Sequence, residues 1–102
     1  MTTMLHILRH SPHSESRFAS CLRAVNANQS LLLIEDAVYG LLPGTSTRNA
    51  LEYLPASVNL YAMEADLQAR GLALDDLSSR IRVVNYAMMV ALCAEHAKVV
   101  SW

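Results

Sequence analysis

The sequence is short of charge for its size. Only 17% of its 102 residues are Asp, Glu, Lys or Arg, against about 25% in an ordinary globular domain, while 53% are hydrophobic. The formal net charge of −1 supplies no positive field that would attract a phosphate backbone, so direct binding of nucleic acid is not expected. Because a small domain keeps proportionately more of its surface in water, we expect part of this apolar surface to be buried against another subunit.

Long apolar runs and glycine-rich loops are also missing. No run approaches the roughly 20 apolar residues that span a bilayer. The first residues, MTTMLHILRHSPH, lack the basic leader and the extended apolar segment of a secretory signal. These features predict a cytoplasmic protein with no membrane partner. The three glycines, Gly40, Gly44 and Gly71, are too widely spaced for a phosphate-binding loop.

The cysteines and histidines match no disulfide or metal-binding pattern. Cys21 and Cys93 are separated by far more than a CxxC spacing, and in the cytoplasm both should be free thiols. His6, His10 and His13 cluster near the N-terminus without a carboxylate or cysteine at ligand spacing, so no metal site and no cofactor is predicted. Nothing singles out one serine for a Ser-His-Asp triad.

Apolar strand-like segments alternate with helical patterns along the chain. The run 31–34 is apolar throughout, which is typical of a central parallel strand covered on both faces. This alternation predicts a single α/β domain over 1–102, with three layers, a mostly parallel five-stranded sheet and helices on both faces. The predicted strands are 4–8, 31–34, 57–63, 81–86 and 98–102. The predicted helices are 11–27, a short one ending at 54, 64–71 and 86–97.

Two carboxylates follow the second predicted strand directly. Asp36 is well placed to cap a helical turn over 37–41 by accepting hydrogen bonds from its free backbone N–H groups. Alternatively, Glu35 and Asp36 lie at the carboxyl end of a strand, where open α/β sheets usually bind ligands. Cap preferences favour the first interpretation. The second leaves open a small-ligand binder of flavodoxin-like shape.

The two cysteines differ in their places on the predicted helices. Cys93 lies within an apolar stripe beside Met89, which indicates a small core residue. Cys21 lies at the flank of the stripe that contains Phe18, and Arg17 one turn earlier would favour its reactive thiolate form. We interpret Cys21 as half-buried packing, with a reactive thiol as the alternative.

Four stretches together resemble the TusB/DsrH family, the smallest subunit type of the DsrEFH-like sulfur-relay proteins. They are LHILRHSPHSESRFASCLRAV, SLLLIEDAVYGLLPGT, VNLYAMEADLQARGL and VVNYAMMVALCAEHAKVVSW, which cover nearly the whole chain in order. The resemblance implies a DsrEFH-like fold and a heterohexamer with two copies each of three homologous small subunits. The implied partners are TusC/TusD-like or DsrF/DsrE-like subunits and a downstream sulfur carrier of the TusE/DsrC type.

The resemblance leaves three functions open. The first is a mainly structural, accessory subunit of a TusBCD-like complex that passes persulfide sulfur toward 2-thiolation of the tRNA wobble uridine, with Cys21 as a candidate sulfur acceptor. The second is a DsrH-type subunit of a dissimilatory sulfur-oxidation complex, and the third is a sulfurtransferase that uses Cys21 itself. The family's main relay cysteine belongs to another subunit type.

This chain departs from the family pattern at two places. It has Asp36-Ala37 where the family often has Asp-Gly, and Asn85-Tyr86 where the family often has Asp-Tyr. A role that needs a left-handed residue at position 37, or a charge at position 85, therefore does not carry over to this chain.

Overall fold

The computed structural model describes residues 4–13 and 16–102. Its strands all run parallel in one sheet, in the order β4-β3-β2-β1-β5. This confirms the predicted three-layer α/β fold and its five-stranded sheet. The strands are β1 Met4–Leu8, β2 Ser30–Leu33, β3 Asn59–Met63, β4 Ile81–Val84 and β5 Lys98–Ser101. The helices are α1 Arg17–Ala24, α2 Ser46–Glu52, α3 Glu64–Ala69 and α4 Tyr86–Glu95, with 3₁₀ helices Glu35–Leu41 and Leu74–Asp76.

The two faces of the sheet are covered unequally. One face carries α1, the 3₁₀ helix Glu35–Leu41, α2 and α3, which bury the side chains of Phe18, Cys21, Val38, Leu51 and Leu67. The other face is covered by α4, and its smaller core consists of Leu5, Leu32, Val84 and Leu92. Most of the apolar burial therefore lies on the α1 side of the sheet.

Strand β2 shows why the sequence turns abruptly from apolar to acidic. All four residues of Ser30–Leu33 are buried, because Leu31 and Leu33 pack in the main core while Leu32 packs under α4. The chain leaves the sheet through Glu35, which is exposed and has a left-handed backbone with φ of 50°. Ala37 is buried and has no positive φ, so the turn needs no glycine at that position.

Helix α1 begins later than the sequence predicts. It starts at Arg17 instead of Ser11 and ends at Ala24. The Ser11 hydroxyl accepts a hydrogen bond from the backbone N–H of His13 at 3.2 Å, so Ser11 stabilises a turn. Residues 14 and 15 lie outside the described part of the chain.

Side-chain caps define the starts of two other helices. The Thr45 hydroxyl accepts from the backbone N–H of Arg48 at 3.3 Å at the start of α2. The Asn85 side-chain oxygen accepts from the backbone N–H of Met88 at 2.9 Å at the start of α4. A neutral amide thus caps α4 at the position where the family often has an aspartate.

Gly40 allows the 3₁₀ helix to pack closely on α1. A Cβ atom at this position would lie 2.6 Å from Cζ and 2.9 Å from Cε2 of Phe18.

Since overpacking a core typically costs about 1–3 kcal/mol, we expect Gly40→Ala to lower the free energy of unfolding by about that amount in urea titrations. The same substitution in a Phe18→Leu background should cost less, because leucine leaves the ring's space free. An equal cost in both backgrounds would contradict the assigned contact.

Candidate functional site

Cys21 lies inside the main core. Its side chain is 0% exposed, so the predicted half-buried position at the flank of the helix is wrong. Burial raises the pKa of the Cys21 thiol to about 12, and the thiol is therefore protonated at neutral pH. Sulfur transfer needs a thiolate that a partner's sulfur can reach. The role of Cys21 as a sulfur acceptor stays a prediction, and its burial weighs against it.

Arg17 does not act as the expected activator of Cys21. Its Nη1 group donates to Nε2 of His10 at 3.0 Å, in an exposed pair at the surface. This contact directs the guanidinium toward the end of β1, and the side chain itself is exposed. Burial, and not a neighbouring charge, therefore shifts the pKa of the Cys21 thiol.

Cys93 is the more accessible of the two thiols. It is partly buried, on the side of α4 that packs on the smaller core. The predicted order of exposure, with Cys21 the more accessible, is therefore reversed. The predicted apolar stripe of α4 is only partly right. Met89 and Cys93 pack against the smaller core, whereas Tyr86 and Val90, which the same stripe includes, are exposed.

Asp36 forms an ion pair and not a helix cap. The residue at the N-cap position of the 3₁₀ helix is Ile34, and no side chain caps this helix. The Asp36 Oδ1 atom lies 2.9 Å from both Nε and Nη2 of Arg70. Arg70 also donates to Asp66 at 3.4 Å and lies over the ring of Tyr39. Because the Asp36 side chain is 57% exposed, this pair contributes only about 0.2–1 kcal/mol.

The carboxyl edge of the sheet offers little for binding a small ligand. A shallow cleft of about 220 Å³ lies there, and its polar residues are Glu35, Asp66 and Tyr86. Asp66 is already paired with Arg70, which leaves Glu35 as the remaining carboxylate of the cleft. Within residues 4–13 and 16–102, no group of three or more His, Cys, Asp or Glu side chains is placed to hold a metal ion.

The outer side of α4 is unusually apolar for an exposed helix surface. Of the ten residues YAMMVALCAE only Glu95 is charged, and a helix that is apolar all round is normally buried. Here Tyr86 is 71% exposed, Met88 51% and Val90 57%. We define the α4 surface as the exposed residues Tyr86, Ala87, Met88, Val90, Ala91 and Ala94. The absence of charge from 86 to 94 is the sequence signal that identifies it.

A groove continues the α4 surface onto the sheet. It has a volume of about 360 Å³ and lies between α4 and the strands β3 and β4. Arg82 and Glu95 are its charged residues, and the apolar ones are Tyr61, Val83, Val84, Met88, Ala91 and Leu92. This face of the sheet is thus only partly covered by the chain's own helix. No helix in the described residues is long and apolar enough to cross a membrane.

The burial of the two cysteines predicts their order of alkylation. Under native conditions at neutral pH, iodoacetamide should label Cys93 faster than Cys21, because the Cys21 thiol is both inaccessible and protonated. Mass spectrometry of peptides from a time course gives the two rates. Denatured protein, in which both thiols are exposed, is the control for intrinsic reactivity. Faster native labelling of Cys21 would contradict the described core.

Comparisons with known proteins agree with this fold. The ychN protein of Escherichia coli superposes with a TM-score of 0.86 at 19% identity, over 100% of both chains. A Methanobacterium thermoautotrophicum protein of unknown function superposes with a TM-score of 0.73 at 17% identity, over 99% of this chain and 98% of its own. At these identities the likeness shows the fold alone.

Sequence comparisons reach further than the fold. A relative from Erwinia tasmaniensis named Protein TusB is 36% identical, and its namesake from Escherichia coli strain K12 is 33% identical. In both cases the match covers 97% of this chain and 100% of the relative. The family model described as DsrH like protein matches residues 10–99. The resemblance seen in the sequence is confirmed, and the chain belongs to the DsrH-like family that includes the TusB proteins.

Proposed function

We propose that this chain is a mainly structural, accessory subunit of a cytoplasmic sulfur-relay complex that passes persulfide sulfur toward 2-thiolation of the tRNA wobble uridine. The curated relatives are named TusB, which favours this branch over dissimilatory sulfur oxidation. The observation that carries the accessory role is the α4 surface. It provides a place for a partner subunit on a chain whose Cys21 is buried.

The energetics of the α4 surface support an obligate partner. Full burial of a large apolar side chain is worth about 1.5–3 kcal/mol. Tyr86, Met88 and Val90 are half to three-quarters exposed, so each can still gain a substantial part of that amount. The groove beside them accepts apolar side chains from the partner, while Arg82 and Glu95 supply polar contacts. The partners that fit this proposal are the two homologous small subunits of a TusC- and TusD-like type.

The buried thiol supports an accessory role over catalysis. A persulfide on Cys21 would require α1 to move away from the sheet, because Cys21 packs in the main core with Phe18 and Leu31. The raised pKa of the Cys21 thiol would also disfavour its attack on an incoming persulfide. We therefore assign the relay thiols to the partner subunits and to a downstream carrier of the TusE/DsrC type.

A charge placed on the α4 surface should disrupt assembly. We expect Met88→Glu to prevent formation of the complex with the two homologous subunits, because a carboxylate cannot be buried there without a large cost. Leu74→Glu is the matched control, since Leu74 is similarly exposed (45%, against 51% for Met88) and lies outside this surface. Co-expression followed by size-exclusion chromatography with light scattering measures the assembly.

The isolated wild-type chain should self-associate at micromolar concentration, because the α4 surface then has no partner. Sedimentation velocity gives the size of the species. A soluble wild-type monomer that binds neither homologous subunit would overturn the subunit proposal. Intact assembly of Met88→Glu would place the interface elsewhere on the chain.

Sulfur delivery separates the accessory subunit from a sulfurtransferase. We expect an assembled complex that carries Cys21→Ala to be slowed at most, and still to deliver labelled persulfide sulfur to the carrier protein. Cys93→Ala is the matched control for loss of a thiol. Complete loss of delivery with Cys21→Ala, in a complex of normal size, would show that Cys21 is the sulfur acceptor.

A further inference from the structure

A series of hydrogen bonds connects Trp102 to the first strand. The indole Nε1–H of Trp102 donates to Nδ1 of His6 at 3.1 Å, and Nε2 of His6 lies 2.8 Å from Oε1 of Gln29. The backbone N–H of Asn26 donates to the same Gln29 oxygen at 3.0 Å. His6 is only 2% exposed, so water does not replace these partners.

The donors at both ends fix the protonation of the His6 ring. An indole N–H and a backbone N–H can only donate. Nδ1 of His6 must therefore be the unprotonated acceptor, and the oxygen of the Gln29 amide must face His6 and Asn26. That oxygen can only accept, so Nε2 of His6 carries the proton. The network is complete only when His6 is neutral, in the Nε2–H tautomer.

We propose that His6 and Trp102 form a proton-sensitive latch that holds β5 on the sheet while His6 is neutral. A charged imidazolium carries a proton on each nitrogen, which would place Nδ1–H against the indole N–H. Protonation therefore replaces a hydrogen bond with two opposed donors in a buried site, and the contact breaks. Acidification that protonates the His6 ring therefore releases Trp102.

Apart from its backbone pairing, strand β5 is held by few contacts, and the Trp102 indole, which packs against the main core, supplies one of them. The strand lies at an edge of the sheet and pairs only with β1, and only Val100 in it is not exposed. Beyond the strand pairing, Trp102 N–H donates to the Ile7 carbonyl at 2.8 Å, and Arg9 donates to the Ser101 hydroxyl at 2.9 Å. Release of the indole leaves β5 with few side-chain contacts to β1.

In residues 4–13 and 16–102, the groups that line His6 are mostly neutral. Beside it in the sheet lie Leu31 of β2 and Val100 of β5. On the same face, α1 contributes the neutral Cys21 thiol. The charged groups on the two strands are cationic, namely Arg9 near Ser101 and exposed Lys98. No ion pair of the described residues includes His6.

His96 is the other histidine near this end of the sheet, and it tolerates charge. Its Nδ1 donates to the Leu92 carbonyl at 2.6 Å, and its Nε2 lies 3.0 Å from the Ser30 hydroxyl. A hydroxyl can either donate or accept, so both bonds persist when the ring is protonated. His10 also accepts a hydrogen bond, from Arg17, but that pair is exposed, so water replaces a lost partner. The buried proton-sensitive contact is therefore the one at His6.

The single tryptophan of the chain makes the latch directly observable. On acidification from about pH 8 to 5, Trp102 emission should shift to longer wavelength, and amide hydrogen exchange should accelerate at 98–102. Far-UV circular dichroism should stay unchanged over the same range, which separates release of β5 from unfolding. A flat emission profile, or one that follows global unfolding, would overturn the proposal.

His6→Gln is the decisive variant, because an amide accepts from Trp102 and donates to Gln29 without titrating. It should abolish the pH-dependent shift, whereas the matched control His13→Gln should retain it. Persistence of the shift in His6→Gln would overturn the proposal.

Should His6→Gln fail to fold, long-range ¹H–¹⁵N spectra of the wild-type protein test the same inference. They should show protonated Nε2 and unprotonated Nδ1 at neutral pH, and the opposite tautomer or a doubly protonated ring would exclude the latch.

Discussion

Burial of the central strands on both faces is the constraint on which the rest of this structure depends. The four residues of β2 are all buried, so neither face of the sheet can be left to water. The chain covers one face with several helical segments and the other with α4. Covering the sheet explains why the inner side of α4 is apolar, but it does not require apolar residues on the outer side. Contact with a partner subunit, as proposed above, accounts for the exposed Tyr86, Met88 and Val90.

The same constraint determines where chemistry can occur on this chain. Helix α1 packs on the well-covered face, so Cys21 lies in the core and burial raises the pKa of its thiol. At the carboxyl edge, Arg70 engages Asp36 and Asp66, which leaves few free polar groups. The α4 surface and the edge strand β5, which follows α4 in the chain, stay exposed on the described chain. The burial of Cys21 and the exposed α4 surface both favour the proposed accessory role over transfer of sulfur by Cys21.

The hydrophobic pattern of the sequence was sufficient to predict the strands and most helices, because it depends on residues that are neighbours in the chain. Local sequence patterns gave wrong predictions where a side chain's environment depends on residues far away in the sequence. Asp36 has the sequence context of a cap, but Arg70, 34 positions later, binds its carboxylate. Ser11 carries a helix-start signal, yet its hydroxyl stabilises a turn. For Cys21, helical spacing found the apolar side of α1 but not how completely the sheet covers it. In α4, which is apolar nearly all round, spacing could not separate the packed side with Leu92 from the exposed side with Val90.

The topology links the two outer features of the molecule. Strands β4 and β5 lie at opposite edges of the sheet, so the segment that contains α4 must cross its full width. Only His96 and Ala97 separate α4 from β5, and His96 anchors this junction through Leu92 and Ser30. Because the helix and the strand share one short connection, the position of β5 limits the freedom of the end of α4. The His6–Trp102 contact, which joins positions 96 residues apart, thereby also contributes to holding the α4 surface in place.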